Sequence, residues 1–196
     1  MDLRQQKGLR TKKRILHVAL ELFNKKGFSN VTVDEIIEQA ETSKGAFYNH
    51  FKSKHDIFLE KFKEIDSFYV HELLPTLKPE ASAKENLKKF FFQEMVYIEG
   101  FGWDVVRTIY ENELNPDRES FFLLPDRPLY QILYNVCVTG QKNGEFREDI
   151  SPEQMVTILA RAIRGILYDW SINKGKYSLQ VEQEAFFDVV VRGLLK

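Results

Sequence analysis

The segment covering residues 42–54 combines small, basic and aromatic residues in an order that suits contact with DNA. Ser43 and Lys44 stand at the start of a predicted short helix, where free backbone N–H groups and a partial positive charge attract a phosphate or a base edge. Gly45 and Ala46 are small enough to let that helix approach the floor of the major groove, and the Ala46 methyl could touch a thymine methyl. The segment therefore indicates a recognition helix.

The same helix has an inner side and an outer side. At helical spacing Phe47 points inward, with Phe51 one turn later, so the two rings are expected to belong to the core. Each outer residue has an ordinary surface explanation when it is taken alone, and their combination carries the prediction. Phosphate contacts position a helix on DNA, whereas base-edge contacts specify the sequence. The exposed candidates for either contact are Tyr48, Asn49, His50 and, at the start of the following helix, Lys54.

Two short helices joined by a tight turn are predicted over residues 32–51. In such a helix-turn-helix the first helix braces the second, whose N-terminal side chains enter the major groove. Thr32 opens the first helix as a capping box, because its hydroxyl can accept from the backbone N–H of Glu35 and the Glu35 side chain can reach back. Thr42 or Ser43 caps the second helix.

The whole chain is predicted to be all-α, with about nine helices. No segment alternates apolar and polar residues for long enough to suggest a hairpin. The fourth helix is expected to end before Pro75, and a loop rich in proline and charge at 115–128 interrupts the later helices. The expected helices cover about 11–26, 32–40, 43–50, 54–74, 82–99, 103–114, 129–142, 152–174 and 179–195.

The helix predicted over 152–174 is apolar on two sides. A surface helix needs only one apolar stripe, so two stripes indicate that this helix packs on its own core and on a second surface. Ser151, Pro152 and Gln154 mark its start as a cap, a proline at the first position and a glutamine at the third. The first stripe holds Met155, Ile158, Leu159, Ala162 and Ile166, and the second holds Ala160, Ile163, Leu167 and Trp170.

Composition and charge narrow the class of protein. No apolar run is long enough to span a membrane and no signal segment opens the chain, so we expect a cytoplasmic protein without membrane contact. Cys137 is the single cysteine, and its apolar neighbours favour a buried packing thiol over a redox sensor. Residues 1–54 carry 11 Lys/Arg against 6 Asp/Glu, whereas residues 55–196 carry 17 against 23. A basic head on an acidic body suits a nucleic-acid surface at one end.

Motifs for catalysis or metal binding do not stand out. There is no G-x-S-x-G, no glycine-rich phosphate loop and no H-E-x-x-H, so we predict a binding protein that is not an enzyme and needs no cofactor or metal. A metal site assembled across several helices stays open as an alternative. A second alternative is a regulator that acts mainly through a protein partner, but the recognition chemistry at 42–54 argues against it. The histidines are His17, His50, His55 and His71.

Residues 10–58 resemble the N-terminal domain of the tetracycline-repressor (TetR) family of bacterial transcription regulators. The match covers about a quarter of the chain, and the remaining helices match the family only in number and length. The features that carry the resemblance are Ile15, Ala19, Phe23, Gly27-Phe28, Thr32-Val33, Ile36, Ala40, Ser43-Lys44-Gly45, Phe47-Tyr48, His50-Phe51 and Lys54.

The resemblance implies a homodimeric repressor that binds a near-palindromic double-stranded DNA operator and is released by a small molecule. It implies a DNA-binding domain over 8–54, a ligand-binding and dimerisation domain over 55–196 linked by the fourth helix, and dimer contacts through the helices at 152–174 and 179–195. Asn49 departs from the aromatic residue of some relatives. The positions that contact DNA in relatives are Thr32, Thr42, Ser43, Lys44, Gly45, Tyr48, His50 and Lys54.

If the body holds a pocket, the resemblance places it among the fourth to eighth helices. The many aromatic residues there suit an apolar or aromatic effector. Arg107 could meet an anionic ligand or form a surface salt bridge, and Glu94 and Glu111 could meet a cation or do the same. The loop at 115–128 could gate the pocket. The expected lining residues are Phe62, Tyr69, Phe91, Met95, Trp103, Arg107, Tyr110, Tyr134 and Cys137.

Overall fold

The computed structural model describes residues 3–116 and 119–196, and in these ranges the fold is all-α, as the sequence predicts. An isolated antiparallel bridge joins Phe146 to Leu195. No helix in the described ranges is both long and apolar enough to cross a membrane. The helices are α1 (Leu3–Lys26), α2 (Val33–Gln39), α3 (Lys44–His50), α4 (Asp56–Phe68), α5 (Ala83–Glu99), α6 (Trp103–Glu113), α7 (Pro128–Lys142), α8 (Pro152–Ile172) and α9 (Leu179–Arg192).

The first helix begins at Leu3, so the expected start near Thr11 was wrong. The residues before Thr11 lack an apolar stripe, and the periodicity that marks a helix in the sequence starts only at Ile15. Arginine, glutamine and lysine are nevertheless good helix formers, so the helix extends over a polar segment that no core contact demands.

The fourth helix ends at Phe68, before Pro75 as expected but short of the predicted end near residue 74. After Phe68 the chain continues through a π-helical turn, Tyr69–Leu73, and a short 3₁₀ helix, Leu74–Thr76, that contains the proline. Proline is tolerated there because the first helical turn leaves its N–H groups unpaired in any case. The wide π turn places Tyr69 against the body.

The three N-terminal helices share one small aromatic core. Phe47 and Phe51 of the recognition segment are 0% and 1% exposed, which confirms their predicted inward direction. The ring of Phe23 on α1 stacks on Phe58 of α4 with a centroid separation of 5.4 Å, and Phe28 packs edge-on against Phe23 at 4.9 Å. The contacts of Phe23, Phe28 and Phe58 join α1 to α4, and the buried rings of Phe47 and Phe51 place the inner side of α3 in the same core.

The body is a layered helical bundle around α5. Phe91 on α5 stacks on Phe187 of α9, with ring centroids 3.8 Å apart and planes within 4° of parallel. Gly140 on α7 allows Phe146 to pack close, because a Cβ there would lie 2.3 Å from the Phe146 ring. The α5 and α8 helices both begin with a full capping box, formed by Ser82 with Glu85 and by Ser151 with Gln154.

Candidate nucleic-acid interface and ligand cavity

Hydrogen bonds from within the turn and from α1 stabilise the turn between α2 and α3. The backbone N–H of Thr42 donates to the carbonyl of Ile37 at 3.1 Å. Glu41 adopts a left-handed conformation with φ of 45°, which is uncommon for a residue with a side chain. The Arg14 guanidinium on α1 donates to the Glu41 carbonyl at 3.2 Å, so the first helix braces the turn.

Side-chain caps start both helices of the motif. The Thr32 hydroxyl accepts from the backbone N–H of Glu35 at 3.2 Å, and the Ser43 hydroxyl accepts from that of Ala46 at 3.1 Å. Ser43, not Thr42, is therefore the cap of α3. The Glu35 carboxylate also binds the Lys26 ammonium, and this bond and charge hold its pKa below the ordinary range.

The predicted DNA-contacting residues, apart from Lys54, form one surface. This surface is the outer side of α3 together with the N-termini of α2 and α3, and Tyr48 at its centre is 48% exposed. Thr42, Ala46 and His50 are half-buried at its edges. The exposed members are Thr32, Ser43, Lys44, Gly45, Tyr48 and Asn49.

The Lys44 ammonium pairs with Asp34 on α2, with a nitrogen–oxygen distance of 3.3 Å. Both side chains are mostly exposed, so this pair contributes little to stability. Because an exposed pair exchanges partners easily, the Lys44 ammonium can leave Asp34 for a phosphate.

Lys54 lies apart from the other candidates. Its ammonium donates to the carbonyls of Phe28 at 2.7 Å and Val31 at 2.8 Å, and it sits 4.4 Å from the centre of the Phe28 ring. The side chain therefore fastens the segment between α1 and α2 to the start of α4. The sequence reasoning missed this role, since its partners lie 26 and 23 residues away along the chain.

A cavity lies in the body between α4, α5, α6, α7 and α8. Its volume is about 60 Å³, which is well below the several hundred cubic ångströms of a drug-sized ligand site. Three of the residues expected to line a pocket do line it, namely Phe62, Tyr69 and Tyr110. Others in its wall are Ile65, Glu94, Ile98, Phe101, Val106, Ile109, Phe122, Arg127, Leu129, Tyr130, Ala160, Ile163, Arg164 and Leu167.

The other six expected lining residues lie outside this cavity. Phe91 and Met95 are fully buried in α5, and Phe91 faces α9. Trp103 packs beside Gly175, where a Cβ would be 2.9 Å from its ring. Arg107 pairs with Glu111 at 3.2 Å, which favours the surface salt-bridge interpretation of both residues.

Tyr134 and Cys137 lie on α7. Tyr134 is half-buried, and Cys137 is fully buried, which raises the pKa of its thiol to about 12. A thiol with such a pKa stays protonated and acts as a small packing group. Helical periodicity identifies inward side chains, but it does not distinguish those that face a void from those that face a neighbouring helix.

A polar network that the sequence did not reveal lies in the cavity wall. The Tyr69 hydroxyl donates to Glu94 Oε1 at 2.5 Å, and Glu94 is 2% exposed. The Arg127 guanidinium donates to the Asp66 carboxylate, from Nη2 at 2.9 Å and from Nε at 3.1 Å. Burial raises the pKa of Glu94 to about 7, although the Tyr69 hydrogen bond and the charge of Arg127 oppose that shift.

The described part of the loop at 115–128 contacts the cavity. Its 3₁₀ turn, Phe121–Leu123, is held by Glu113, whose Oε2 accepts from the Phe122 backbone N–H at 3.0 Å. The Tyr130 hydroxyl donates to the Phe122 carbonyl. Residues 117–118 of the expected gate lie outside the described residues.

This turn also contacts the start of α4, close to the recognition helix. The Phe121 ring lies 4.8 Å from that of Phe62 and 6.0 Å from that of His55. His55 in turn makes a 3.3 Å contact with Asn112 on α6. Phe122 lines the cavity, and its neighbour in the sequence, Phe121, contacts α4, the helix that follows the three N-terminal helices.

Comparison with known proteins identifies the family. The family model described as "Bacterial regulatory proteins, tetR family" matches residues 15–60. The "Fatty acid metabolism regulator protein" of Bacillus subtilis (strain 168) is 22% identical over 182 residues, covering 92% of this chain and 94% of that protein. The "HTH-type transcriptional regulator QacR" of Staphylococcus aureus (strain Mu50 / ATCC 700699) is 29% identical over 165 residues, covering 80% and 84%.

A solved structure shares the whole fold. The Thermus thermophilus FadR, described as a TetR-family transcriptional repressor in complex with lauroyl-CoA, superposes with a TM-score of 0.67 at 24% identity. The alignment covers 94% of this chain and 95% of that one. The relatives named here are regulators of transcription or metabolism, and the resemblance seen in residues 10–58 is confirmed. Residues 15–60 therefore match the TetR family of bacterial regulatory proteins, and the chain as a whole is similar in fold to a repressor described as a member of that family.

Proposed function

We propose that the protein is a homodimeric repressor that binds a near-palindromic operator and is released from it by a small molecule. The observation that carries the proposal is the outer side of α3, where capped N–H groups, Lys44 and Tyr48 are exposed while Phe47 and Phe51 fix the helix from behind. We assign DNA binding to residues 8–54 and ligand binding and dimerisation to residues 55–196, with α4 linking the two.

The proposed DNA contacts divide into two kinds. Lys44, Tyr48 and His50 have polar groups that reach phosphates or base edges, whereas Gly45 and Ala46 permit close approach. Lys54 acts indirectly in this proposal, because its ammonium is held by two backbone carbonyls. The excess of basic residues in the first 54 positions adds a sequence-independent attraction.

The proposed dimer surface is an exposed apolar stripe on α8 and α9. Most of both stripes predicted for α8 is buried within the protomer, and Ile158 is the main exception. Exposed apolar side chains nevertheless follow one side of each helix at helical spacing, and a contiguous apolar patch of this kind marks an interaction surface. The stripe comprises Ile158, Tyr168 and Ile172 on α8, and Val181, Phe186 and Val189 on α9, which are 39–71% exposed.

Release is proposed to begin in the cavity. A ligand of drug size exceeds the cavity volume of about 60 Å³, so its entry must displace wall side chains. Displacement of Phe122 would move Phe121. The Phe121 ring contacts His55, which immediately precedes α4, and Phe62 within α4. A shift of α4 in each protomer would change the spacing of the two recognition helices, and half-site spacing is a geometric requirement for a dimer on DNA.

Two variants in α3 test the DNA interface. Lys44→Ala and Tyr48→Ala should each weaken operator binding at least tenfold while leaving the melting temperature nearly unchanged, since both side chains are exposed. Lys142→Ala, which removes an exposed basic residue from α7, should bind as the wild type does. Fluorescence anisotropy at several salt concentrations measures both the affinity and its salt dependence. Unchanged affinity in both α3 variants would refute the assignment of this surface.

A further inference from the structure

The carboxylate of Glu94 is buried in the protein, where ionisation of a carboxyl group is unfavourable in free energy. The side chain is 2% exposed in the cavity wall, and Oε1 accepts from the Tyr69 hydroxyl. Oε2 has no hydrogen-bond partner among the residues that the structure describes. A buried charge without a full set of partners is strongly unfavourable unless a further group pairs with it.

The neighbouring cations already have partners. The Arg127 guanidinium makes paired hydrogen bonds with Asp66, and Arg164 donates to the carbonyl of Ala160 at 3.2 Å and to that of Phe122 at 3.5 Å. The pair of Arg127 and Asp66 is neutral as a unit. An anionic ligand would have to share the cavity with the Glu94 carboxylate, and Arg164, which already donates to two backbone carbonyls, would be the guanidinium to receive it.

The rest of the wall suits a cation with an apolar body. Aromatic faces attract a cation through their quadrupole, and Phe62 already has the Arg127 guanidinium carbon 5.1 Å from its ring centre. Hydrophobic side chains fill the spaces between the rings. The aromatic residues of the wall are Phe62, Tyr69, Phe101, Tyr110, Phe122 and Tyr130.

We propose that the cavity takes a lipophilic organic cation whose charged group pairs with Glu94 and whose apolar part lies against these aromatic rings. The proposal names the effector class for the proposed function and rests on that function only for the consequence, which is release of DNA. Binding of the cation itself can be measured on the protein alone.

Matched probes separate charge from shape. Phenyltrimethylammonium and tert-butylbenzene have nearly the same shape and differ by one positive charge, and benzoate supplies the opposite charge. Calorimetric titration of the full-length protein at pH 8 should show at least tenfold tighter binding of the cation than of either other probe. Glu94→Gln should abolish that preference, whereas Glu111→Gln, which changes an exposed carboxylate paired with Arg107, should keep it. Equal affinities for the three probes, or a preference that survives Glu94→Gln, would overturn the proposal.

The wild-type protein provides a test that does not depend on a folded variant. Since burial raises the pKa of Glu94 to about 7, the ionised fraction falls about tenfold between pH 8 and pH 6, and the affinity for the cation should fall with it. The affinity for tert-butylbenzene should not change, and the same affinity for the cation at both pH values would contradict the proposal. The other titratable groups around Glu94 are Asp66 on α4, Tyr69 on the π turn, Tyr110 on α6, Arg127 and Tyr130 at α7, and Arg164 on α8.

Parallel measurement of operator binding separates this proposal from the proposed function. Operator binding without any cation preference would refute the ligand class and leave the repressor intact. A cation preference that depends on Glu94 but does not weaken operator binding would support the ligand class and refute release by this cavity.

Discussion

At the scale of single residues, Glu94 links stability to ligand binding. Its ordinary pKa of 4.5 rises to about 7 in the folded protein because burial penalises the ionised form. Below pH 4.5 the carboxyl is protonated in both the folded and unfolded states, so it costs nothing. As pH rises toward 7 the unfolded chain ionises first, and the folded state therefore loses relative stability.

Glu94→Gln should remove this dependence on pH. The variant cannot ionise, so its free energy of unfolding relative to the wild type should increase by about 3 kcal/mol between pH 4.5 and pH 8. Urea unfolding at several pH values measures the difference. Glu111→Gln, at an exposed position, serves as the control and should show no comparable change. A difference between wild type and Glu94→Gln that is constant across this range would mean that folding does not raise the pKa of Glu94.

At the scale of elements, α3 combines a need for rigidity with a need for close approach to DNA. Ser43 caps the helix and two phenylalanine rings fix it, yet Gly45 stands in its first turn, where a side chain would be more favourable for helix formation. A Cβ at Gly45 would meet nothing within 4 Å, so no contact within the protein requires a glycine there. We infer that the missing side chain serves the approach to the groove.

Gly45→Ala should therefore separate stability from function. The free energy of unfolding of the variant should be about 0.5–1 kcal/mol higher than that of the wild type, because alanine has the better helix propensity. It should bind the operator several-fold more weakly, because the new methyl lies on the face that approaches DNA. Urea unfolding and anisotropy titration on the same preparation give both values. Higher stability with unchanged operator affinity would show that this face does not come close to the bases.

Short-range patterns in the sequence were sufficient to predict the helices that form the proposed DNA-contacting surface. The caps at Thr32 and Ser43 and the inward direction of Phe47 depend on residues within four positions, and the structure confirms each of them. The partners of Lys54 and the pairing of Tyr69 with Glu94 join residues more than 20 positions apart. Such contacts depend on how helices pack, and no local pattern specifies them.

The residues that line the cavity show more clearly that local sequence patterns do not specify contacts between helices. Three of the nine residues that the sequence analysis expects to line a pocket do line the cavity. Phe91 and Met95 have the correct periodicity and are buried, yet neither lines the cavity. The sequence predicts the same two alternatives for Glu94 and Glu111, a cation or a surface salt bridge, because nothing local distinguishes them.

At the scale of the whole molecule, the exposed apolar stripe on α8 and α9 lies on helices that border or brace the cavity. Ile163 and Leu167 line the cavity from α8, while Ile158 and Tyr168 of the same helix face outward. Ligand entry and subunit contact would therefore act on opposite sides of one helix. This arrangement gives a physical basis for coupling between the cavity and the relative position of two protomers.

Val189→Glu should convert the proposed dimer to a monomer. The side chain is 71% exposed in the protomer, so the substitution should not disturb the fold, but it would place two like charges in a symmetric apolar interface. Leu114→Glu, at a position 75% exposed at the end of α6 and outside the stripe, is the matched control and should stay dimeric. Sedimentation velocity measures the state of each. A dimeric Val189→Glu protein would place the interface elsewhere.

The central claim is that the outer side of α3 reads a specific DNA sequence. Selection of genomic DNA fragments by the purified protein, followed by sequencing, tests it most directly, with Lys44→Ala and Lys142→Ala selected in parallel. We expect wild type and Lys142→Ala to enrich the same near-palindromic sequence and Lys44→Ala to lose it. Failure of the folded wild-type dimer to enrich any sequence, or enrichment of the same palindrome by Lys44→Ala, would contradict the claim.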